Sequence, residues 1–117
     1  MNIKEIQDKL AKFAEKRDWD QFHSPKNLVM ALTSEVGELN EFFQWLTEGQ
    51  SLIKDDSAKT DEIRQEIADI FIYLLRLADK LDIDIEEAVR EKIEINAKKY
   101  PIDLAKGNAI KYNKRDE

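Results

Sequence analysis

The sequence predicts an all-α protein, built as a bundle of four main helices. Only 3 of its 117 residues are glycine and 2 are proline, whereas 38% are charged, and this composition suits helices. Apolar residues recur at intervals of three and four over long stretches, which indicates amphipathic helices. No Asn-Gly or Asp-Gly pair occurs, and no long stretch alternates apolar with polar residues, so β-hairpins are not expected.

Local signals place two helices in the first half of the chain. The first is expected over 2–16, where isoleucine, leucine and phenylalanine side chains fall on one face. Ser24 followed by Pro25 marks the start of the second helix, with serine as N-cap and proline at the first helical position. We expect that helix to continue to about Glu48 and to stop at Gly49.

The second half of the chain carries two further helices. Thr60 is expected to cap the third, which reaches about Leu81. Asp84, with a glutamate three residues later, forms a capping-box pattern for the fourth. That helix is expected to end near Tyr100, because Pro101 follows.

One domain is expected over residues 1–100, followed by a C-terminal tail over 101–117. Between Ile67 and Ala78 of the third helix, apolar residues point almost all the way round. A helix of that kind is buried on most sides, and four helices in one small chain can hardly cover it. We therefore expect a homo-oligomer; a central helix in a monomer is the alternative.

Charge and composition exclude several classes of protein. Lysine and arginine number 19 and aspartate and glutamate 25, which gives a net charge of −6. Nucleic-acid backbones select clustered positive charge, so no nucleic-acid partner is expected. The absence of cysteine excludes disulfide frameworks and thiolate metal sites. The longest apolar-rich run, IADIFIYLLRLA, is interrupted by Asp69 and Arg76 and is shorter than the roughly 20 residues of a membrane span. We expect a cytoplasmic protein without a membrane partner.

Four carboxylates lie on or beside the apolar faces of two predicted helices. On a wheel of about 100° per residue, Glu35 falls inside the apolar stripe of the second helix and Glu38 lies at its edge. Glu66 and Asp69 repeat this three-residue spacing on the third helix. Snorkelling or an ion pair explains one such residue, but two helices that both carry them indicate a shared site.

Carboxylates gathered in one pocket repel one another strongly. At about 4 Å and an effective dielectric of about 20, each like-charge pair costs about 4 kcal/mol. Several pairs together rival the stability of a whole domain, about 5–15 kcal/mol. Protons or cations must therefore neutralise the cluster, and all-oxygen ligands favour Mg²⁺, Mn²⁺ or Ca²⁺ over Zn²⁺. Of these we expect Mg²⁺, with Mn²⁺ as a substitute.

Side chains on the fourth helix are suited to bind phosphate. Lys92 and Asn96 fall in its apolar stripe, and Lys99 extends that row. Mg²⁺ usually completes its shell with water and substrate phosphates, and these three residues are suitable partners for such phosphates. A di-iron bundle is the competing metal site, but it uses Glu-x-x-His, and the only histidine, His23, lies in a predicted loop.

Aromatic side chains supply candidate walls for a nucleotide base. Trp19, Phe22 and His23 lie in the loop before the second helix. Trp45 is expected at the far end of that helix, and Tyr73 lies on the third. Aromatic faces stack on bases with about 1–3 kcal/mol each, although ordinary core packing explains Phe22 equally well.

Two stretches of the sequence resemble a known family. RDWDQFHSPKNLVMALTSEVGELNEFFQW and EEAVREKIEINAKKYP flank a Glu-x-x-Asp helix. They are similar to the all-α nucleoside triphosphate pyrophosphohydrolases of the MazG-like superfamily, and most similar to its small dCTP pyrophosphatase branch. The resemblance covers residues 6–100. It implies Mg²⁺-dependent hydrolysis of a nucleoside triphosphate, dCTP or a modified dCTP, to the monophosphate and pyrophosphate. The alternatives are a dUTP or other noncanonical nucleotide hydrolase on the same bundle, and a non-enzymatic helical adaptor.

The resemblance also implies roles for single residues and an assembly. The metal ligands match four carboxylates: Glu35, Glu38, Glu66 and Asp69. The phosphate-binding positions match Lys92 and Asn96, to which Lys99 or Tyr100 adds. The base and sugar positions match Trp19, Trp45 and Tyr73. Glu35 or Glu38 would accept the proton of the attacking water, and a homodimer or homotetramer would form through the central helices.

Two features depart from the vertebrate dCTP enzymes of this branch. Those enzymes carry, on the first helix, a histidine that approaches the substrate, and Leu10 stands at that position here. Their loop between the second and third helices is longer and contains a tryptophan, whereas this loop reads GQSLIKDDSAKT. Both departures concern base recognition and leave the metal motif unchanged.

Overall fold

The fold, given by a computed structural model, is described over residues 1–53 and 56–115, and this part of the chain contains helices and turns but no strand. The helices are α1 (Ile3–Lys16), α2 (Pro25–Glu41), α3 (Ser57–Lys80), α4 (Ile85–Lys99) and α5 (Ile102–Ala105). Three short 3₁₀ turns lie at Asp20–Phe22, Gln50–Leu52 and Tyr112–Lys114. The all-α prediction is therefore confirmed. Among the described residues, no helix has a stretch that is both long and apolar enough to cross a bilayer.

Contacts divide the chain into two compact units, Met1–Ile83 and Asp84–Glu117. In the first unit, α2 and α1 both pack against α3. The second unit consists of α4, α5 and the C-terminal segment. The expected division into 1–100 and 101–117 stays a prediction.

Capping side chains fix where α2 and α4 begin, as the sequence predicted. The Ser24 hydroxyl accepts a hydrogen bond of 3.2 Å from the backbone N–H of Asn27, and Pro25 follows it. Asp84 accepts one of 3.0 Å from the backbone N–H of Glu87. In both helices the cap satisfies a backbone donor that the first turn would otherwise leave unpaired.

The third helix begins one turn earlier than predicted. Asp56 caps it by accepting a 3.0 Å hydrogen bond from the backbone N–H of Lys59. Thr60, the predicted cap, lies inside the helix, and its hydroxyl donates to the Asp56 carbonyl at 2.8 Å. The prediction failed because two capping residues stand one turn apart, and the earlier one begins the helix. The preceding loop was predicted to include Lys54 and Asp55, which lie outside the described residues.

The second helix ends at Glu41, well before the predicted end at Glu48. Two hydrogen bonds that span three residues tighten the chain here: the backbone N–H of Phe42 donates to Leu39 at 3.2 Å, and that of Phe43 donates to Asn40 at 3.0 Å. Such bonds convert the last turn of a helix to 3₁₀ geometry. Trp45 consequently lies on a turn, outside the helix.

The buried core of the first unit is small. Its buried apolar side chains are Ala14, Leu28, Ile63, Leu75 and Ala78. Gln7 is also buried, and its side-chain amide donates a 3.0 Å hydrogen bond to the backbone carbonyl of Leu75. This bond fixes α1 against α3 and satisfies a polar group that burial would otherwise penalise.

Large apolar side chains remain exposed on the two central helices. On α2 they include Val29, Met30 and Val36; on α3, Ile67 is 55% exposed and Ile72 is also exposed. Apolar surface therefore remains exposed on α2 and on α3, the helix that was predicted to be buried on most sides.

In the second unit, the C-terminal segment folds back onto the end of α4. Arg115 donates a 2.8 Å hydrogen bond to the carbonyl of Lys99, and the backbone N–H of Tyr112 donates to the Tyr100 hydroxyl at 3.3 Å. The two tyrosine rings meet edge to face at 6.1 Å. Leu104 and Ile110 in this segment are exposed, and Tyr112 makes these contacts while remaining 36% exposed.

Candidate active site

The packing of α2 on α3 brings three of the predicted carboxylates together. Glu35 and Glu38 share one face of α2 because they are three residues apart, and Glu66 lies opposite them on α3. One carboxylate oxygen from each of the three lies within 4.8 Å of the others. Glu35 and Glu66 are partly buried, whereas Glu38 is exposed to solvent.

Asp69, the fourth predicted ligand, lies outside this group of three. It follows Glu66 by three residues on α3, a rise of about 4.5 Å. Its side chain is exposed and lines a neighbouring cavity. Asp69 thus lies between the carboxylates and that cavity.

The electrostatics of the three carboxylates favour a bound proton or cation. Hydrogen bonding with Glu66 raises the pKa of Glu35 to about 7, with further contributions from burial and from the charges of Glu38 and Glu66. Glu66 Oε2 is buried and, while Glu35 is ionised, has no hydrogen-bond partner among the described residues. A buried anionic oxygen without a donor is unfavourable. A hard divalent cation would satisfy it, and the donor set, which consists of oxygens alone, suits Mg²⁺ or Mn²⁺.

A cavity of about 300 Å³ lies beside these carboxylates in the first unit. Its walls include three residues that the sequence assigned to base and sugar binding, namely Trp19, His23 and Tyr73. The remaining lining is mostly apolar and includes Leu10 on α1. A cavity of this size, with aromatic walls and a few polar groups, is typical of a site for a small organic ligand.

Tyr73 lines the cavity, and its hydroxyl interacts electrostatically with two of the carboxylates. Burial raises the pKa of Tyr73, and the negative charges of Glu35 and Asp69 raise it further. The phenol therefore stays protonated at neutral pH and is available as a hydrogen-bond donor.

Comparison with known proteins identifies the family. The sequence profile of the MazG-like family matches residues 30–114. This chain belongs to the MazG-like family. Human dCTP pyrophosphatase 1 is 41% identical over 111 residues, and rat dCTP pyrophosphatase 1 is 40% identical. The match spans 94% of this MazG-like chain but only 65% of the length of each of these relatives.

A solved structure supports the family fold of this MazG-like protein. The crystal structure of a pyrophosphatase from Archaeoglobus fulgidus superposes with a TM-score of 0.79 and 40% sequence identity. The superposition covers 86% of this chain and 94% of the archaeal one. The helices that carry the three carboxylates therefore belong to a fold that a known pyrophosphatase shares.

Trp45 does not line the cavity of this MazG-like chain. It lies on the turn after α2 and is 87% exposed. Because α2 ends at Glu41, Trp45 lies beyond the helix and is not among the residues that form the cavity walls. Its role at a base or sugar stays a prediction.

The four predicted phosphate-binding residues lie in the second unit. Lys92 and Asn96 are exposed on α4, and Lys99 is partly buried at its end. The Lys99 ammonium lies 4.7 Å from the centre of the Tyr112 ring, and Tyr100 follows as the C-cap residue. Their roles at phosphate stay predictions.

One residue in the cavity wall was not predicted to have a functional role. Arg76 was noted only as an interruption of an apolar run, yet it is 4% exposed and lines the cavity. Its spacing could have revealed it, because Asp69, Tyr73 and Arg76 recur at steps of four and three residues along one face of α3.

The raised pKa of Glu35 predicts a pH-dependent stability in the absence of divalent cations. Folded protein binds this proton more tightly than unfolded protein, so its contribution to stability is present below pH 4.5 and is lost as the pH rises to about 7. In EDTA, wild type should match a Glu35→Gln variant near pH 4.5 and fall below it in unfolding free energy by pH 8. Urea unfolding at several pH values measures this difference.

The comparison with Glu35→Gln isolates this group. Burial also lowers the pKa of His23, which contributes to the pH dependence with the opposite sign, but this contribution is the same in both proteins. Glu41→Gln, the same change on the same helix, should retain the wild-type dependence. A difference between wild type and Glu35→Gln that stays constant from pH 4.5 to 8 would contradict the assignment.

Proposed function

We propose that this chain hydrolyses a nucleoside triphosphate to the monophosphate and pyrophosphate, using Mg²⁺ or, in its place, Mn²⁺. The observation that carries the proposal is the convergence of three carboxylate oxygens from α2 and α3 within 4.8 Å, beside a cavity with aromatic walls. Relatives named dCTP pyrophosphatase 1 and a structural neighbour named a pyrophosphatase support the same reaction.

The ligand set proposed for the cation is Glu35, Glu38 and Glu66, with Asp69 as a fourth ligand. Glu66 Oε2, which is buried without a hydrogen-bond donor among the described residues while Glu35 is ionised, supports this assignment. When bound, such a cation withdraws electron density from phosphate oxygens and stabilises the charge that develops on them. Several acidic ligands in a small site hold a divalent ion more tightly than one or two would.

Protein groups supply the proton transfer and the positioning. Glu35 or Glu38 accepts a proton from the attacking water at a carboxylate oxygen. We assign Lys92, Asn96, Lys99 and Tyr100 to the phosphates, and Trp19, His23, Trp45 and Tyr73 to the base and sugar.

The base that the cavity accepts is proposed to be cytosine, in dCTP or a modified dCTP. The names of the relatives support this choice. Leu10 lines the cavity at the position where vertebrate dCTP enzymes carry a histidine, so one polar contact to the base is missing. This difference supports dUTP or another noncanonical nucleotide as the second candidate. Either activity would remove surplus or modified nucleotides from the cell.

We further propose that the chain forms a homodimer or homotetramer through its central helices. Exposed apolar side chains on α2 and α3 support this assembly, because large exposed apolar patches mark association surfaces. The small core of the first unit supports it as well, since a small domain gains stability by burying further surface.

Removing one proposed ligand should abolish turnover. Pyrophosphate release from a panel of deoxynucleoside triphosphates, with and without Mg²⁺, measures the activity and ranks the substrates by kcat/KM. Glu38→Gln and Asp69→Asn should each lower kcat/KM by at least about 100-fold, because changes near a metal commonly cost that much. Helicity should stay unchanged in both variants.

Glu41→Gln provides the matched control, since it makes the same chemical change one turn further along α2. It should retain wild-type turnover. If Glu38→Gln retains near-wild-type turnover in Mg²⁺, the proposed ligand set is wrong. If wild type releases no pyrophosphate from any nucleotide, a non-enzymatic adaptor is the better description.

The assembly predicts a solution mass at least twice the 13.7 kDa of one chain. Light scattering coupled to size-exclusion chromatography measures this mass. Ile67→Arg, which places a charge on the exposed apolar surface of α3, should reduce it towards that of a monomer. Gln65→Arg, an exposed position on the same helix, should leave the mass unchanged. A monomeric wild type at micromolar concentration would contradict the proposal.

A further inference from the structure

Arg76 is a buried cation in the wall of the aromatic cavity. Only 4% of the residue is exposed, although it lies in an otherwise apolar run of α3. A buried charge is strongly unfavourable unless it is paired and hydrogen bonded. The groups that pair with Arg76 therefore identify the contacts that stabilise this part of the structure.

The short-range partners of Arg76 come from the segment between α1 and α2. One guanidinium nitrogen, Nη2, lies 3.1 Å from Asp20 Oδ1 and 3.3 Å from His23 Nδ1. Lys80, one turn further along α3, also donates to Asp20. Asp79, on α3 itself, is more distant at 3.9 Å. Arg76 thus ties α3 to the 3₁₀ turn that follows Trp19.

The contact with Arg76 fixes the state of the His23 ring. Arginine carries donors and no acceptor, so His23 Nδ1 must be the acceptor. The imidazole is therefore neutral and carries its hydrogen on Nε2. Burial lowers the pKa of His23, and the charge of Arg76 lowers it further, in agreement with this state. The free edge of the ring then presents an N–H donor.

Trp19 depends on the same segment. Its ring meets Phe13 edge to face at 5.7 Å and His23 at 6.5 Å, and it remains 45% exposed. Among the described residues, no hydrogen bond is made by this indole, and its ring contacts are those with Phe13 and His23. Displacement of the turn would therefore move two walls of the cavity at once.

A further observation separates Arg76 from an ordinary structural ion pair. Its Nε is buried and has no hydrogen-bond partner among the described residues, although buried donors are nearly always paired. The guanidinium is oriented so that Nη2 contacts Asp20 and His23, and the Nε–H donor has no partner among the described residues. Such a cost is characteristic of functional sites.

We propose that Arg76 is a positioning residue for the cavity: it holds Trp19 and His23 in place and keeps His23 as an N–H donor, so that the cavity takes a heterocyclic ring with a hydrogen-bond acceptor on its edge. The identity of that ring as a nucleotide base rests on the proposed function. The positioning itself rests on contacts within the first unit, since all of these residues lie in Met1–Ile83.

The state of His23 can be read directly, because it is the only histidine in the chain. Nitrogen–proton correlation spectra of the imidazole distinguish the two neutral tautomers. Wild type should show the Nε2–H form, and Arg76→Met should show a mixture and a pKa closer to the ordinary value of 6.5. Lys80→Met, which removes the other cation on Asp20 but leaves the contact to His23, should retain the Nε2–H form.

Kinetics test the positioning with dCTP as the probe. Arg76→Met should raise KM about tenfold or more, as expected for the loss of about 1.4 kcal/mol of binding, while kcat changes by less than about threefold. Asp20→Ala removes the second anchor at an exposed side chain and should raise KM in the same direction. This variant keeps the test available if Arg76→Met does not fold.

The outcomes separate this proposal from the proposed function. If the protein releases pyrophosphate from none of the nucleotides, the proposed function is wrong. The spectra would then still test the positioning proposal, because they need no substrate. Either an Nδ1–H tautomer in wild type or an unchanged tautomer in folded Arg76→Met would overturn the positioning role. An unchanged KM for dCTP in folded Arg76→Met would overturn it as well.

Discussion

The repulsion between carboxylates on α2 and α3 is the constraint on which the rest of the first unit depends. Three acidic oxygens lie within 4.8 Å of one another, although like charges at such distances cost about 4 kcal/mol a pair at an effective dielectric of about 20. The apolar contacts between the two helices must hold this charge in place. A proton on Glu35 relieves part of the repulsion, and a divalent cation would relieve more.

The same constraint links charge neutralisation with ligand binding. A site that is unfavourable when empty gains stability from whatever neutralises it, because a ligand that binds only the folded state stabilises that state. The buried oxygen of Glu66, which has no donor among the described residues while Glu35 is ionised, is the point at which this gain would be largest. Burial of the carboxylates therefore lowers the stability of the metal-free protein and favours the binding of a cation.

Helix α3 extends the site from the carboxylates to the aromatic cavity. Glu66, Asp69, Tyr73 and Arg76 follow one another at steps of three and four residues and so lie along one face. In our proposal, Glu66 and Asp69 act at the phosphate end of a nucleotide, and Tyr73 and Arg76 act at its base. Arg76 in turn connects this helix with the segment of Trp19 and His23. The spacing of these residues on one helix face therefore sets the distance between the carboxylates and the aromatic cavity.

Much of this arrangement could be predicted from the sequence, because helical periodicity and capping are local. The caps at Ser24 and Asp84 and the shared face of Glu35 and Glu38 follow from spacing alone. The early end of α2 could not be predicted, since it depends on competition between hydrogen-bond patterns around Asn40. The role of Arg76 also escaped prediction, because its partners lie more than 50 residues away in the chain.

The central claim is tested most directly by locating a bound metal. Crystals grown with Mn²⁺ and examined by anomalous scattering should show a peak within about 2.5 Å of carboxylate oxygens of Glu35, Glu38 and Glu66, the range of such metal–oxygen bonds. A well-ordered map at saturating Mn²⁺ without a peak there, or with these three side chains turned away from one another, would contradict the account.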